Sequence, residues 1–514
     1  MGVSRLAAGV VLAGCLLCSV DSRGQDSREE FAAIHARLER QEAELRTLRE
    51  RLAASSIEPL PSTKTVSHPT VTEGPMLPVS EGYVVGSDTS MKASWRHGVE
   101  IESPHKDFRM HVGGRVQFDG VWLDGSDDAF DVPAPGSGTS GVGDADSVNF
   151  RRARLRVDGT LYDVIDYACE YDFVNSTNVN AGLAPASEAN VVNVPVPTDV
   201  WVTFKELPAV GNLRVGNFKE PIGLEHLTSS RFLDFMERSY LQDAFTGAFN
   251  NGFSQGAMIF DWSEERNTTC AIGLFKNAAN PYAFNVGDGE YATTGRVTWA
   301  PWYDEPSKGR YMFHVGAAAS YRDTDNDVIR IRARPSLRNG PGPLNPVMAD
   351  TGTIPADNQS ILAGEAALVY GPWLLQGEYM ASHIEDAVAG PISGETLFVQ
   401  GYYVEALYFL TGEHREYDRK AANFGRVVPH ENAYFVRGLG WCGGGAWQVG
   451  ARYSMLDLRD SGFDGGLVQD VTLGLNWFLN PNMKVQWNYV YTQRDAPGIN
   501  DHFDGAGMRL AWDF

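Results

Sequence analysis

From about Phe108 to the last residue, apolar and polar positions alternate with a period of two. Phe118, Gly120 and Trp122 alternate with Gln117, Asp119 and Val121, and Ala153, Leu155 and Val157 with Arg152, Arg154, Arg156 and Asp158. Tyr402, Val404, Ala406, Tyr408 and Leu410 share one face; Trp447 to Met455, Val471 to Trp477 and Val485 to Tyr491 repeat the pattern, and Met508, Leu510, Trp512 and Phe514 end it. Such alternation predicts strands with two unlike faces. The runs are about nine to eleven residues long, enough for a tilted strand to cross a bilayer and longer than the usual globular strand. Their apolar faces end in Trp, Tyr or Phe, as at the two interfacial girdles of a membrane barrel, and their other faces are polar or charged, as a wet lumen requires. A soluble sandwich with the apolar faces inward would need one very large core. Roughly sixteen or seventeen runs are countable, and single-chain bacterial barrels have even strand numbers. The expected fold class is therefore an all-β transmembrane barrel of about 16 antiparallel strands, closed because lipid tolerates no open sheet edge.

The preceding chain has a different rhythm. Phe31, Ile34, Leu38, Gln41, Leu45, Leu48 and Leu52 fall on alternating three- and four-residue spacing amid Glu, Arg, Gln and Ala. That is an a/d seam, and it predicts a short coiled-coil helix over 29–52, with a lone amphipathic helix as the other reading. Residues 53–82 are rich in Pro, Ser and Thr and read as a semi-extended linker, with the barrel domain spanning 83–514. At the start, Arg5 and the apolar run Leu6 to Val20 read as a signal peptide over 1–22, removed on export. Leu12-Ala13-Gly14-Cys15 also fits a lipoprotein cleavage box, which would leave Cys15 acylated. Tight turns are expected at Gly371-Pro372 and Asn480-Pro481-Asn482. The polar stretches Gly125 to Ser147, Ala181 to Thr198, Arg334 to Ser360 and His383 to Glu395 suit long extracellular loops.

Composition narrows the function. The 514 residues carry a formal charge of −22, which argues against nucleic acid as a partner. Past residue 20 no apolar run is long enough for a transmembrane helix. Beyond the signal, Cys169, Cys270 and Cys442 are scattered, with no metal-ligand spacing; they read as single buried or lipid-facing thiols, or as one disulfide whose pair the sequence does not choose. No nucleophile elbow, phosphate loop or HExxH occurs, and His414/Glu416 and Asp501/His502 read as solvated neighbours. The chain is thus expected not to be an enzyme and to need no cofactor or metal.

Several segments resemble the phosphate-selective porin O/P family. They are Gly113-Gly114-Arg115-Val116-Gln117-Phe118-Asp119, Phe150-Arg151-Arg152-Ala153-Arg154-Leu155, Gly216-Asn217-Phe218-Lys219-Glu220-Pro221-Ile222-Gly223-Leu224-Glu225, Ser229-Ser230-Arg231, Glu237-Arg238 and Leu410-Thr411-Gly412-Glu413. The resemblance covers roughly residues 108–514. It implies a trimeric porin of the cell outer membrane, in contact with its lipid and passing small anions such as phosphate by passive diffusion; the N-terminal helix is expected in the periplasm. It also implies that the loop after Lys219 folds into the barrel, which makes Arg231 the first choice for a constriction residue and Arg238 a second. The alternative for Arg231 is a salt bridge within that loop to Asp234 or Glu237.

Residue parity adds candidates directly. Arg152, Arg154 and Arg156 share the lumen side of one strand and form either a basic ladder or pairs with nearby acids such as Asp158 and Asp172. Lys219 and Arg115 complete the anion-facing set. A guanidinium about 4 Å from a phosphate oxygen contributes up to roughly 4 kcal/mol at an effective dielectric near 20, before desolvation is subtracted. Only nine lysines occur in the chain. The alternative function is therefore a weakly selective general porin that also tethers the outer membrane to the cell wall through its N-terminal coiled coil.

Overall fold

The computed structural model describes residues 83–514 apart from 131–145, 181–185, 248–251, 278–281, 283, 285, 287–288, 325, 391 and 437–440. The expected signal peptide, coiled coil and linker lie outside the described residues.

Sixteen strands make the barrel. The first four are β1 (Phe108–Gly125), β2 (Ser147–Leu161), β3 (Ile165–Asp172) and β4 (Val196–Leu207). Next come β5 (Gly211–Phe218), β6 (Ser254–Ser263), β7 (Thr268–Lys276) and β8 (Tyr291–Tyr303). They are followed by β9 (Tyr311–Asp323), β10 (Asn358–Tyr370), β11 (Trp373–Ala389) and β12 (Ile392–Phe409). The last are β13 (Ala446–Asp460), β14 (Phe463–Asn480), β15 (Met483–Ala496) and β16 (Ile499–Asp513). Each pairs antiparallel with its neighbour, and β16 returns to β1 from Phe503↔Gly125 to Asp513↔Arg115. Phe514 finishes the seam: Gly114 N–H donates to its carbonyl at 2.7 Å, and its own N–H donates to Gly114 O at 3.1 Å. A Cβ on Gly114 would stand 2.6 Å from the Arg154 carbonyl oxygen, so this close approach needs glycine. A small hairpin, Lys92–Trp95 with Val99–Glu102, leans on the start of β1.

The alternation expected from the sequence sorts the two faces. Val404 is 57% and Leu473 50% exposed on the outer face, whereas Arg509 and Gln448, on the inner face, are fully buried. At the short-turn end, outer-face aromatics meet in a girdle: Trp302 lies 6.1 Å from Tyr311, Trp373 4.6 Å from Tyr408, and Trp447 5.1 Å from Trp477. Rings at this depth place an apolar body in lipid and a polar edge in the headgroups. Cys169 and Cys270 are free thiols on that outer face.

The strands run from eight to eighteen residues, so the longest exceed the expected length. The stretch His383 to Glu395 is not a loop. Strands β11 and β12 continue through it, pairing His383↔Phe398 and Ala387↔Glu395 up to a turn at Gly390. Its charges misled because a hairpin that outreaches the bilayer stands in water, where a polar outer face costs nothing; its inner residues Ile384, Ala387 and Leu397 are buried against the 324–357 connection.

Inner polar residues are buried because three connections fold into the lumen. Residues 219–253, between β5 and β6, cross to the far wall. There Asn488 Oδ1 accepts from Met236 N–H at 2.7 Å, Asn476 Nδ2 donates to Asp234 O at 2.7 Å, and Lys484 Nζ donates to Leu233 O at 2.6 Å. A short helix in this crossing, α1 (Leu224–Leu227), receives the Glu378 carboxylate at its first two N–H groups, at 2.9 and 2.6 Å. Residues 324–357 fold in from the same long-loop end. The third connection, 410–445, belongs to the short-turn end, yet it is long. It enters the lumen with Arg415 on Asp234 (3.2 Å) and Tyr417 against His314 (2.7 Å).

Candidate functional site

What these segments leave open is a cavity of about 1230 Å³ against the inner wall of β2–β8. Thirteen basic side chains line it against six acidic ones, Asp166, Asp172, Asp199, Glu237, Asp243 and Asp261. The lining is thus strongly basic in a chain that is strongly acidic overall, so the negative charge lies elsewhere. Confined water beside a low-dielectric wall lets such a local excess dominate the potential felt by an ion.

Five of the seven candidate residues line this cavity: Arg115, Arg152, Arg154, Lys219 and Arg238. They differ in how far their charge is already answered. Arg115 donates to both oxygens of Glu170, at 2.8 and 2.6 Å, and to the hydroxyls of Ser229 and Ser230 at 3.2 and 2.8 Å. Arg154 bridges Asp172 (2.7 Å) and Glu170 (3.2 Å). Arg152 donates to Gln117 Oε1 at 2.8 Å and lies 3.8 Å from Glu237. Lys219 and Arg238 have no carboxylate in ion-pair range among the described residues. Lys219 Nζ donates to the carbonyls of His226 and Thr228, and Arg238 to those of Glu225 (2.8 Å) and Thr228 (2.5 Å). Backbone carbonyls aim these two groups without cancelling their charge.

The remaining two sit to the side. Arg156 pairs with Asp158 (2.9 Å) and Asp199 (3.1 Å). Arg231 approaches neither Asp234 nor Glu237; its nearest carboxylate is Glu170 at 3.8 Å, and it faces a small recess near Arg426 and Asp513. The three arginines of β2 do share the lumen face, and two of them pair with the acids named beforehand.

Sequence reasoning missed eight lining cations: Arg151, Lys205, Arg214, Arg296, Arg332, Arg334, Arg338 and Lys420. Arg151 should point to lipid by parity, but the β1–β2 register slips between Gln117↔Arg152 and Phe118↔Phe150. This bulge turns Arg151 inward beside Arg152, where it grips Glu237 at 2.8 and 2.9 Å. Arg334 and Arg338 come from the 324–357 connection and both clasp Asp243. The signal for Arg214 was available: it lies four residues before the block residue Phe218, on the same strand face.

The inward connections also set the charge states. Burial alone would raise the Glu237 carboxyl, but Arg151, Arg152, Arg509 and Arg338 hold it well below the usual carboxylate range. Burial, and then the Arg238 charge, push the Lys219 ammonium well below the ordinary lysine range. Burial brings Arg238 down to about 10. At about 10, Arg238 remains a cation at neutral pH, and the Lys219 ammonium gives up its proton at lower pH than a free lysine. No cluster of side chains among the described residues is arranged to hold a metal ion.

The chain is 26% identical to Porin O of Pseudomonas aeruginosa over 466 residues, covering 84% of this chain and 93% of that one. It is 27% identical to an uncharacterized protein of Caulobacter vibrioides over 537 residues, covering 100% of this chain and 95% of that one. Among solved structures it aligns with the outer membrane channel DcaP of Acinetobacter baumannii at 13% identity and a TM-score of 0.43, over 80% of this chain and 99% of that chain. Residues 128–514 match the family described as phosphate-selective porin O and P. With three-quarters of its length matched, and with sixteen strands closed around a basic lumen, the chain belongs to the phosphate-selective porin O and P family: it is an outer-membrane porin, a channel and not an enzyme.

Proposed function

We propose that the protein passes small anions, phosphate among them, by passive diffusion through its water-filled barrel. The constriction is formed by Lys219 and Arg238, with Arg115, Arg152 and Arg154 behind them and Arg156 and Arg231 supporting the wall. The observation that carries this reading is the basic excess around the cavity, above all Lys219 and Arg238, which have no carboxylate in ion-pair range among the described residues. Paired arginines shape the wall, whereas charges without a counter-ion concentrate the permeant ion. Two such groups suffice to enrich anions without trapping them, since an ion held too strongly cannot leave.

In this reading the protein works as a homotrimer whose outer faces contact outer-membrane lipid, as its exposed apolar strand faces suit; cross-linking in native membranes tests the trimer. Single-channel recording of the purified protein in chloride and phosphate gradients tests the selectivity. A zero-current potential on the cation side would sink the anion reading, a potential near zero would favour a weakly selective pore, and absence of any channel would refute conduction altogether.

A further inference from the structure

We infer that the lumen wall built by β4, β5 and β6 carries a subsite for an aryl carboxylate, with its carboxylate on Arg214 and its ring against Phe260 and Trp262. The inference rests on the anion-channel reading and names a class of organic anion for it.

The wall of a wet pore is expected to be polar. On β5 and β6 the inward positions depart from that rule: Phe218, Met258, Phe260 and Trp262 all face the cavity. Phe218 is 1% exposed and packs against Phe275 at 5.5 Å, which is ordinary packing. Phe260 and Trp262 differ. They are only partly buried, and their rings lie 6.4 Å apart and 28° from parallel, forming a shelf along the cavity.

Arg214 stands at the edge of that shelf. Its guanidinium lies 3.9 Å from the centre of the Trp201 ring and 5.1 Å from that of Phe260. Its Nε donates to Thr203 Oγ1 at 2.9 Å. No carboxylate is in ion-pair range of it among the described residues, and Asp199 on the same wall is held by Arg156 at 3.1 Å. A guanidinium backed by an indole is fixed in its plane and presents its remaining N–H fork to the lumen, a geometry that matches a carboxylate in two-point contact. Lys420 lies 5.3 Å from the Trp262 ring but is paired with Glu264 at 3.2 Å, so Arg214 is the anion-holding group of the shelf.

Inorganic phosphate would use the guanidinium but gain nothing from the rings. A benzoate-like anion would use both, since flat rings stack on aromatic faces and on guanidinium planes. The arrangement therefore favours aryl over alkyl carboxylates of the same charge.

The test is block of chloride current through the full-length protein in planar bilayers by benzoate, cyclohexanecarboxylate and acetate. Benzoate is expected to half-block at about tenfold lower concentration than acetate, with cyclohexanecarboxylate between them. Phe260→Leu/Trp262→Leu, which keeps the wall apolar but removes the rings, should bring benzoate level with cyclohexanecarboxylate. Arg214→Lys, which keeps the charge but not the fork, should also lose the preference. The chloride current of each variant reports that its barrel has formed. Equal block by benzoate and cyclohexanecarboxylate in the wild type, or a preference surviving in the double leucine variant, overturns the subsite. The zero-current potential in a KCl gradient separates the two readings: a cation-side value sinks both, and an anion-side value without aryl preference sinks this one alone.

Discussion

Replacing Lys219 and Arg238 together by Gln removes two cavity-lining cations whose hydrogen bonds, among the described residues, go to backbone carbonyls, without leaving any carboxylate stranded. A permeating ion passes each group at about 5 Å. In a lumen with a dielectric near that of water, this gives about 0.8 kcal/mol per charge. At 0.1 M salt, screening over a Debye length of about 10 Å trims it to about 0.5 kcal/mol. The pair then contributes about 1 kcal/mol, so the double variant should hold about fivefold fewer anions at the constriction and admit about fivefold more cations. The anion-to-cation permeability ratio, read from the zero-current potential across a tenfold KCl gradient, should fall by about an order of magnitude or more, and the fall should be larger at low salt. Lys308→Gln serves as control: its side chain is 74% exposed on the β8–β9 turn and is paired with Glu416, so the ratio should stay unchanged. A double variant within twofold of the wild type would refute the assignment of these cations to the constriction. An equal loss in the Lys308 variant would refute the claim that local rather than total charge selects the ion.

Other outcomes follow from the same geometry. Raising pH strips positive charge from a basic group, and a lowered pKa moves that loss to lower pH. Anion preference should therefore begin to fall below the ordinary lysine range as Lys219 neutralises and continue through about pH 10 with Arg238, while the double Gln variant shows no such decline. Glu237→Gln leaves Arg151 and Arg509 without their shared carboxylate, and urea unfolding in detergent should show a loss of about 3 kcal/mol; a change below about 1 kcal/mol would count against the crossing being pinned there. Because this carboxyl sits well below its unfolded range, its contribution is present above pH about 4.3 and disappears as pH falls through its depressed value. Gly114→Val should prevent the seam from closing, read as loss of the compact heat-modifiable form on gels.

The barrel was legible because a strand's period of two needs no tertiary knowledge. Once one face is seen to be apolar, the residues of each regular strand from Phe118 to Phe514 are assigned to lipid or lumen by parity alone. Position along the pore was much less legible. Whether Arg154 faces an ion or Asp172 depends on a carboxylate from the next strand, and Arg231 meets Glu170 only because the 219–253 crossing lies where it does. Arg151 broke the parity rule through a one-residue bulge that no pattern announces. The 410–445 connection escaped notice because its Gly, Pro and charged residues resemble those of any loop, while its burial depends on partners such as Asp234 and His314, far away in sequence. Local pattern fixes which way a side chain points; what it meets there is decided by contacts across the lumen.

The seam between β16 and β1 bears on how the molecule comes to be. The strand that completes the sheet is the last in the chain, and its partner is nearly the first, so Gly114 waits unpaired until Phe514 arrives. Closing a free loop of about 400 residues would cost roughly 5 kcal/mol in chain entropy, a cost that stepwise zipping of neighbouring hairpins largely avoids. Until the ring shuts, however, both terminal strands expose a full row of backbone donors and acceptors, which invites pairing with another chain. Assembly is thus most vulnerable to aggregation just before completion, and a truncation that removes only the final strand should be punished as severely as the loss of half the barrel.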